Sequence, residues 1–294
     1  MKSLIKWFRA RAYNSITMHA APPYLIEPRE LERMLPGENL LAVDVGNRDN
    51  YLRGHGHVPG AAHLDYGALV SGRPPAPGLL PPLENLQESL RRLGLSRKTH
   101  VVAYDDQGNG RAARLLWTLA AAGHAHMSLL NGGLAAWHNE GHPLERGEIR
   151  AAPGDFRVDF QPQVLADKNY VLASLGDPRR VILDARSPQE YRGEKSASAR
   201  RGRIPGAVNL NWLDTIDRSR NLRFKSDEEL HAMLTERGVA RDREIIVHCQ
   251  THHRSSHSFV MLRHLGFKEV RGYAGSWAEW SDDPSLPVEN LGET

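Results

Sequence analysis

An α/β protein of two homologous domains, each a mainly parallel sheet with helices on both faces, is predicted from three observations. Unlike residues recur along the chain at a constant displacement, Val/Ile/Leu runs of strand length alternate with helix-length stretches, and those runs do not alternate apolar with polar residues. The first marks a repeat, the second a β-α-β series, and the third strands buried on both faces.

The first copy opens with the run Leu40-Leu41-Ala42-Val43-Asp44. A Val58-Pro59-Gly60-Ala61 turn, a helical stretch from Leu83 to Leu93 and the strand run His100-Val101-Val102-Ala103-Tyr104 follow. The second copy keeps the order with Val181-Ile182-Leu183-Asp184, Ile204-Pro205-Gly206-Ala207, a helix from Asp227 to Arg237, and Glu244-Ile245-Ile246-Val247-His248-Cys249. Arg111, Gly123, Gly132 and Trp137 then return as Arg254, Gly266, Gly275 and Trp280, each 143 positions later. The stretch from Gly141 to Pro162 holds Gly, Pro and charge with little apolar period, as a linker or strap does. The expected domains are therefore 22–142 and 165–285, with 143–164 between them.

A chain of 294 residues with 40% hydrophobic and 25% charged residues suits two globular domains. No transmembrane segment is expected, because no stretch reaches the roughly 20 apolar residues that span a bilayer. The opening segment also lacks the apolar run of a secretory signal, so the expected location is cytoplasmic. The net charge of +3 owes four positives to Lys2, Lys6, Arg9 and Arg11; without them 34 basic residues face 35 acidic ones. A nearly neutral body gives no reason to expect a nucleic-acid partner, and the basic segment reads as a solvated tail, with a weak membrane-surface helix built on Ile5, Trp7 and Phe8 as an alternative.

Cys249 is the sole cysteine, so no intrachain disulfide is possible and covalent sulfur chemistry must finish on another molecule. The segment Cys249-Gln250-Thr251-His252-His253-Arg254 runs from a buried strand into a helix carried by Phe259, Leu262 and Leu265. A tight strand-to-helix loop turns successive N–H groups inward and adds the positive helix end, which makes an anion cradle. Arg254 and any protonated fraction of His252 and His253 add to that field, so the thiolate is favoured. Matching Arg111 to Arg254 puts Asp106 at the place of Cys249, and Gly46 falls at the place of Arg186. One copy is then expected to work, and the other to be kept for packing or for shaping the cleft.

The repeated Pro-Gly-Ala turn, the Asp184/Arg186 pair, the loop from Cys249 to Arg254, and Gly275-Ser276-Trp277 with Trp280 together resemble the tandem-domain rhodaneses, the thiosulfate sulfurtransferase family. That resemblance implies two rhodanese-like domains, the second catalytic, with Cys249 cycling between thiol and persulfide. It further implies that Arg186 and Arg254, with Gln250, Thr251, His252 and His253, bind the substrate and that Asp184 supports them. The implied partners are a small anionic sulfur donor and a thiol or cyanide acceptor, with no cofactor and no metal. The bulky His pair favours thiosulfate over 3-mercaptopyruvate; a persulfide carrier for a dedicated acceptor is an alternative.

A phosphatase reading is disfavoured because only four residues separate Cys249 from Arg254, a short cradle for a phosphoryl group. A metal site at His248, Cys249, His252, His253 and His257 is disfavoured because a tight loop turns these side chains apart. The charged stretch from Glu194 to Arg203, absent from the first copy, reads as a solvated loop.

Overall fold

The computed structural model describes residues 24–290; the basic segment holding Lys2, Lys6, Arg9 and Arg11 lies outside them. In the first domain β1 (Leu25–Ile26), β2 (Leu40–Asp44), β3 (Ala62–His63), β4 (His100–Tyr104) and β5 (Met127–Leu130) form a sheet in the order β1-β5-β4-β2-β3. Every pairing in it is parallel. Helices α1 (Pro28–Met34), α2 (Arg48–Leu52), α3 (Leu83–Arg92), α4 (Gly110–Ala121) and α5 (Gly133–Asn139) connect the strands.

The second domain repeats the plan with β6 (Leu165–Ala166), β7 (Arg180–Asp184), β8 (Val208–Asn209), β11 (Glu244–His248) and β12 (Val270–Tyr273), in the order β6-β12-β11-β7-β8. Its helices are α6 (Lys168–Ala173), α7 (Pro188–Tyr191), α8 (Asp227–Thr235), α9 (Arg254–His264) and α10 (Ser276–Asp282), and a small antiparallel hairpin, β9 (Ile216–Asp217) and β10 (Arg223–Phe224), is added. Helix α8 starts where the sequence dictates: Ser226 caps the Glu229 N–H and the Glu229 carboxylate returns to the Ser226 N–H. The same box between Ser187 and Glu190 opens α7, with Pro188 at the first helical position.

The central strands explain the unbroken apolar runs. Val101 and Ala103 face one core and Val102 and Tyr104 another; Ile245 and Val247 likewise oppose Ile246. The inner faces of both sheets share a single apolar cluster, in which Leu115, Leu116 and Leu119 of α4 join Phe259, Val260 and Leu262 of α9. Helices α4 and α9 pack directly on each other. A fully buried side chain of this size contributes about 1.5–3 kcal/mol, so the seam between domains is core rather than a sliding contact.

Two connecting segments are more ordered than composition suggests. The stretch after α5 straps the first domain: Phe156 is buried in the core with its N–H on the Leu95 carbonyl, and the Asp159 and Gln161 N–H groups reach the end of α4. The charged stretch from Glu194 to Arg203 is not simply solvated. Arg203 is buried, pairs with Glu289 and stacks on Tyr191, and Arg200 donates to the carbonyls of Asp283 and Leu286. Guanidiniums that reach backbone carbonyls fasten a loop, and a sequence shows only their charge. Among the described residues, no helix is long and apolar enough to cross a membrane.

Candidate active site

Strand β11 delivers Cys249 to the carboxyl end of the second sheet, and α9 begins five residues later. The sulfur is 1% exposed, yet its surroundings are polar. The Thr251 and Ser255 N–H groups and the Ser255 hydroxyl hydrogen-bond to it. Nδ1 of His252 lies 2.7 Å from Ser255 Oγ, and the imidazole tautomer that donates there leaves the hydroxyl proton for the sulfur. Below the loop, the Ser276 hydroxyl accepts the Cys249 N–H at 3.3 Å and the Trp277 N–H donates to the Cys249 carbonyl at 3.0 Å. Burial pushes the thiol up, but the Arg254 charge and the three donors outweigh it and hold Cys249 below its ordinary value.

The loop residues divide into those near the sulfur and those that join the domains. Thr251 gives its N–H to the cradle, and Gln250 reaches over to Ser198 Oγ at 2.9 Å. Arg254 is held bidentately by Glu190 of α7 at 2.6 and 2.9 Å. His252 is buried with φ +58° and its ring meets Trp117 of the first domain edge-on, at 4.3 Å between centroids. His253 lies against Tyr66 and Trp212. Burial lowers both imidazoles, His253 to about 4 and His252 well below its usual value. The two histidines are therefore neutral near pH 7 and add no positive charge; they seat the loop between the domains.

Arg186, just beyond β7, is engaged by partners in its own domain. Its guanidinium is 1% exposed, with Nε and Nη2 committed to Asp184 at 2.6–3.0 Å and Nη2 also to the Gly202 carbonyl, and it lies 4.5 Å over the Trp277 ring. Cys249 is equally hidden, so burial does not separate the two; Arg186 differs in having these hydrogen bonds already made. Its evident work is to neutralise Asp184, whose carboxyl burial pushes up but His248 and Arg186 bring below its usual range.

The first copy corrects one match. His100 opens β4 and Glu244 opens β11, and Gly110 opens α4 and Arg254 opens α9, a displacement of 144 in both cases. Asp105, not Asp106, therefore occupies the place of Cys249. Its Oδ1 accepts the Gln107 and Asn109 N–H groups at 2.8 and 2.7 Å, and its Oδ2 those of Arg111 and Ala112 at 2.8 and 3.0 Å. A built-in carboxylate thus fills the very anion cradle that the second copy offers to sulfur. Helix α4 is one residue longer than α9, which brings the later residues back to a displacement of 143.

Without a counterpart to Arg186, the buried Asp44 of the first copy is pushed up to about 7 by burial and the nearby Asp105 and Asp106, despite the Gly46 N–H and Tyr104 hydroxyl. A raised carboxyl costs nothing below its unfolded value near 3.8, and the cost is complete above about 7. Asp44→Asn keeps an acceptor for Gly46 and is expected to stabilise by on the order of 2 kcal/mol at pH 8 and negligibly near pH 4. Denaturant titrations at the two pH values check this.

Sequence reasoning missed Ser255 and Glu190 and gave Ser276 no contact with Cys249, though it expected the first copy to help shape the cleft. Ser255 was visible as the hydroxyl in the first helical turn after Cys249, and Glu190 as the last member of a Ser-x-x-Glu box just beyond β7. Among the described residues, no group of three or more His, Cys, Asp or Glu side chains could hold a metal.

Comparison with known proteins places this geometry in context. The family pattern described as "Rhodanese-like domain" matches residues 27–140 and 167–283. A thiosulfate sulfurtransferase of Azotobacter vinelandii is 43% identical over 92% of this chain and 98% of its own length. The sulfur carrier protein TtuD of Thermus thermophilus is 32% identical over 92% and 98%. Among solved structures, SseA from Escherichia coli, described with the 3-mercaptopyruvate sulfotransferases, superposes with a TM-score of 0.78 at 28% identity, over 87% of this chain and 99% of that one.

Proposed function

This chain is a sulfurtransferase of the rhodanese family, and from that premise we propose that Cys249 takes the outer sulfur of thiosulfate and passes it to a thiol or cyanide acceptor in the cytoplasm. One observation carries the reading: the only thiol of the chain sits in a cradle of N–H and O–H donors that favours its ionised form. In the first half-reaction the Cys249 thiolate attacks the outer sulfur of thiosulfate. The new S–S bond forms to Cys249, the S–S bond within thiosulfate breaks, and sulfite leaves with the electron pair. One negative charge stays on the terminal sulfur of the persulfide. In the second half-reaction the acceptor attacks that sulfur and returns the thiolate.

The donors from Thr251 and Ser255 serve both half-reactions, because the anion they hold moves by only one sulfur atom. Arg254, kept in place by Glu190, lends its field to the same charge. The Azotobacter relative supports thiosulfate as the donor, and SseA supports 3-mercaptopyruvate as the alternative.

Parallel assays separate the two. With cyanide as acceptor, kcat/KM for thiosulfate is expected to exceed that for 3-mercaptopyruvate by at least about tenfold, roughly 1.4 kcal/mol of transition-state preference. The opposite ratio would make the organic thiol the donor. If either donor loads Cys249 with sulfur, seen as added mass, but no small acceptor unloads it, the carrier reading takes over.

A further inference from the structure

The negative sulfur on Cys249 needs a counter-charge, and the cations around it in the second domain are already matched. Glu190 holds Arg254, Asp184 holds Arg186, and His252 and His253 are neutral. A fully buried cation with no carboxylate partner among the described residues comes from the other domain. Arg114, in the middle of α4, is 0% exposed, and its Nη2 donates to the carbonyls of Leu69 and Gly78 at 3.0 and 2.7 Å. The guanidinium lies 4.6 Å over the Trp117 ring, while Nε and Nη1 have no hydrogen-bond partner among the described residues.

A buried guanidinium without a carboxylate costs several kcal/mol unless an anion compensates it. Tyr66 and Cys249 are the groups whose anionic forms would act on Arg114, and burial keeps the Tyr66 phenol protonated while the Cys249 thiol is lowered. Position agrees with this. Gly78, whose carbonyl Arg114 holds, lies so close to the catalytic loop that a Cβ there would be 2.3 Å from the Thr251 carbonyl. Thr251 in turn gives its N–H to the sulfur. Arg254 pulls harder on the sulfur than any other charge, but its own charge is shared with Glu190.

We propose that Arg114, supplied by the domain without a nucleophile, is the free positive charge that stabilises the anionic sulfur on Cys249 as thiolate and as persulfide. The active site is then completed electrostatically across the domain seam, and Arg114 acts as a positioning residue rather than one that attacks or transfers a proton. The inference deepens the sulfur-transfer reading and rests on it for the persulfide, though not for the thiolate.

The test reads the thiolate directly, with no sulfur donor present. Cys249 is the lone cysteine, so the ultraviolet absorbance of the thiolate, taken against Cys249→Ser, reports its ionisation alone. The other groups around it are His248, His252 and His253 in its own strand and loop, Arg254 on α9, Asp184 and Arg186 at the end of β7, Glu190 on α7, and Tyr66 of the first domain. All remain in the variants. Arg114→Gln, which keeps a donor for the two carbonyls, is expected to raise the ionisation midpoint by about one pH unit and lower kcat/KM for thiosulfate roughly tenfold. Arg114→Lys, which keeps the charge, is expected to stay within about 0.3 unit of the wild type.

A folded Arg114→Gln protein with an unshifted midpoint overturns the inference, because a purely structural role predicts lost activity without that shift. Should Arg114→Gln not fold, Arg114→Lys decides: a wild-type midpoint supports the charge role, and a rise of about one unit overturns it. A shifted midpoint in Arg114→Gln combined with no thiosulfate turnover in the wild type would leave the role of Arg114 standing and remove the donor.

Discussion

Cys249→Ser loses at least about a thousandfold in thiocyanate formation from thiosulfate and cyanide, and its mass never gains a sulfur atom. Serine is nearly the same size and its oxygen still accepts from Thr251 and Ser255, so the fold and the cradle survive the change. The charge does not survive it, because a hydroxyl remains protonated where a thiol ionises. An oxygen nucleophile is also a poor match for the soft sulfur it would have to attack. The loss therefore reports chemistry and not unfolding, which an unchanged near-ultraviolet circular dichroism spectrum and denaturant midpoint would confirm. Turnover retained above that level would place the reaction on another group, and no second thiol exists to take it.

The second large effect falls in the first domain, whose loop carries Asp105 where the second carries Cys249. Asp105→Ala removes the acceptor of four N–H groups, those of Gln107, Asn109, Arg111 and Ala112. An orphaned buried donor costs about 1–3 kcal/mol, and water entering the emptied cradle recovers part of the total, so a loss of about 3–5 kcal/mol is expected. Asp105→Asn keeps one acceptor oxygen and should lose roughly half as much. Guanidinium titrations of the three proteins measure the ranking. An alanine variant as stable as the wild type would show that the cradle holds no anion of structural weight.

The strands were legible because parallel strands covered on both faces leave unbroken apolar runs, and the repeat was legible because the same runs return in the same order. The helix starts at Ser187 and Ser226 could be read from their capping boxes. The partner of Cys249 in the first copy was misread, since Arg111 and Arg254 match at the displacement of 143 while strands and helix starts follow 144. The extra residue is hidden inside α4, where one more apolar position leaves no mark on the pattern.

Charges were read less well than the fold. His252 and His253 suggest cations in a sequence, but only burial decides their protonation. Arg254 suggests free charge, and only three dimensions bring Glu190 against it. Arg114 carried a usable signal, as an arginine set among Ala112, Ala113, Leu115 and Leu116, where a charge demands a reason.

Once two duplicated halves have merged their interiors, they no longer age independently. The half that carries Asp105 does without a thiol in its loop, since the carboxylate fills the cradle, but it cannot lose its shape without collapsing the wall of its neighbour. A substitution inside either interior is therefore felt by both halves.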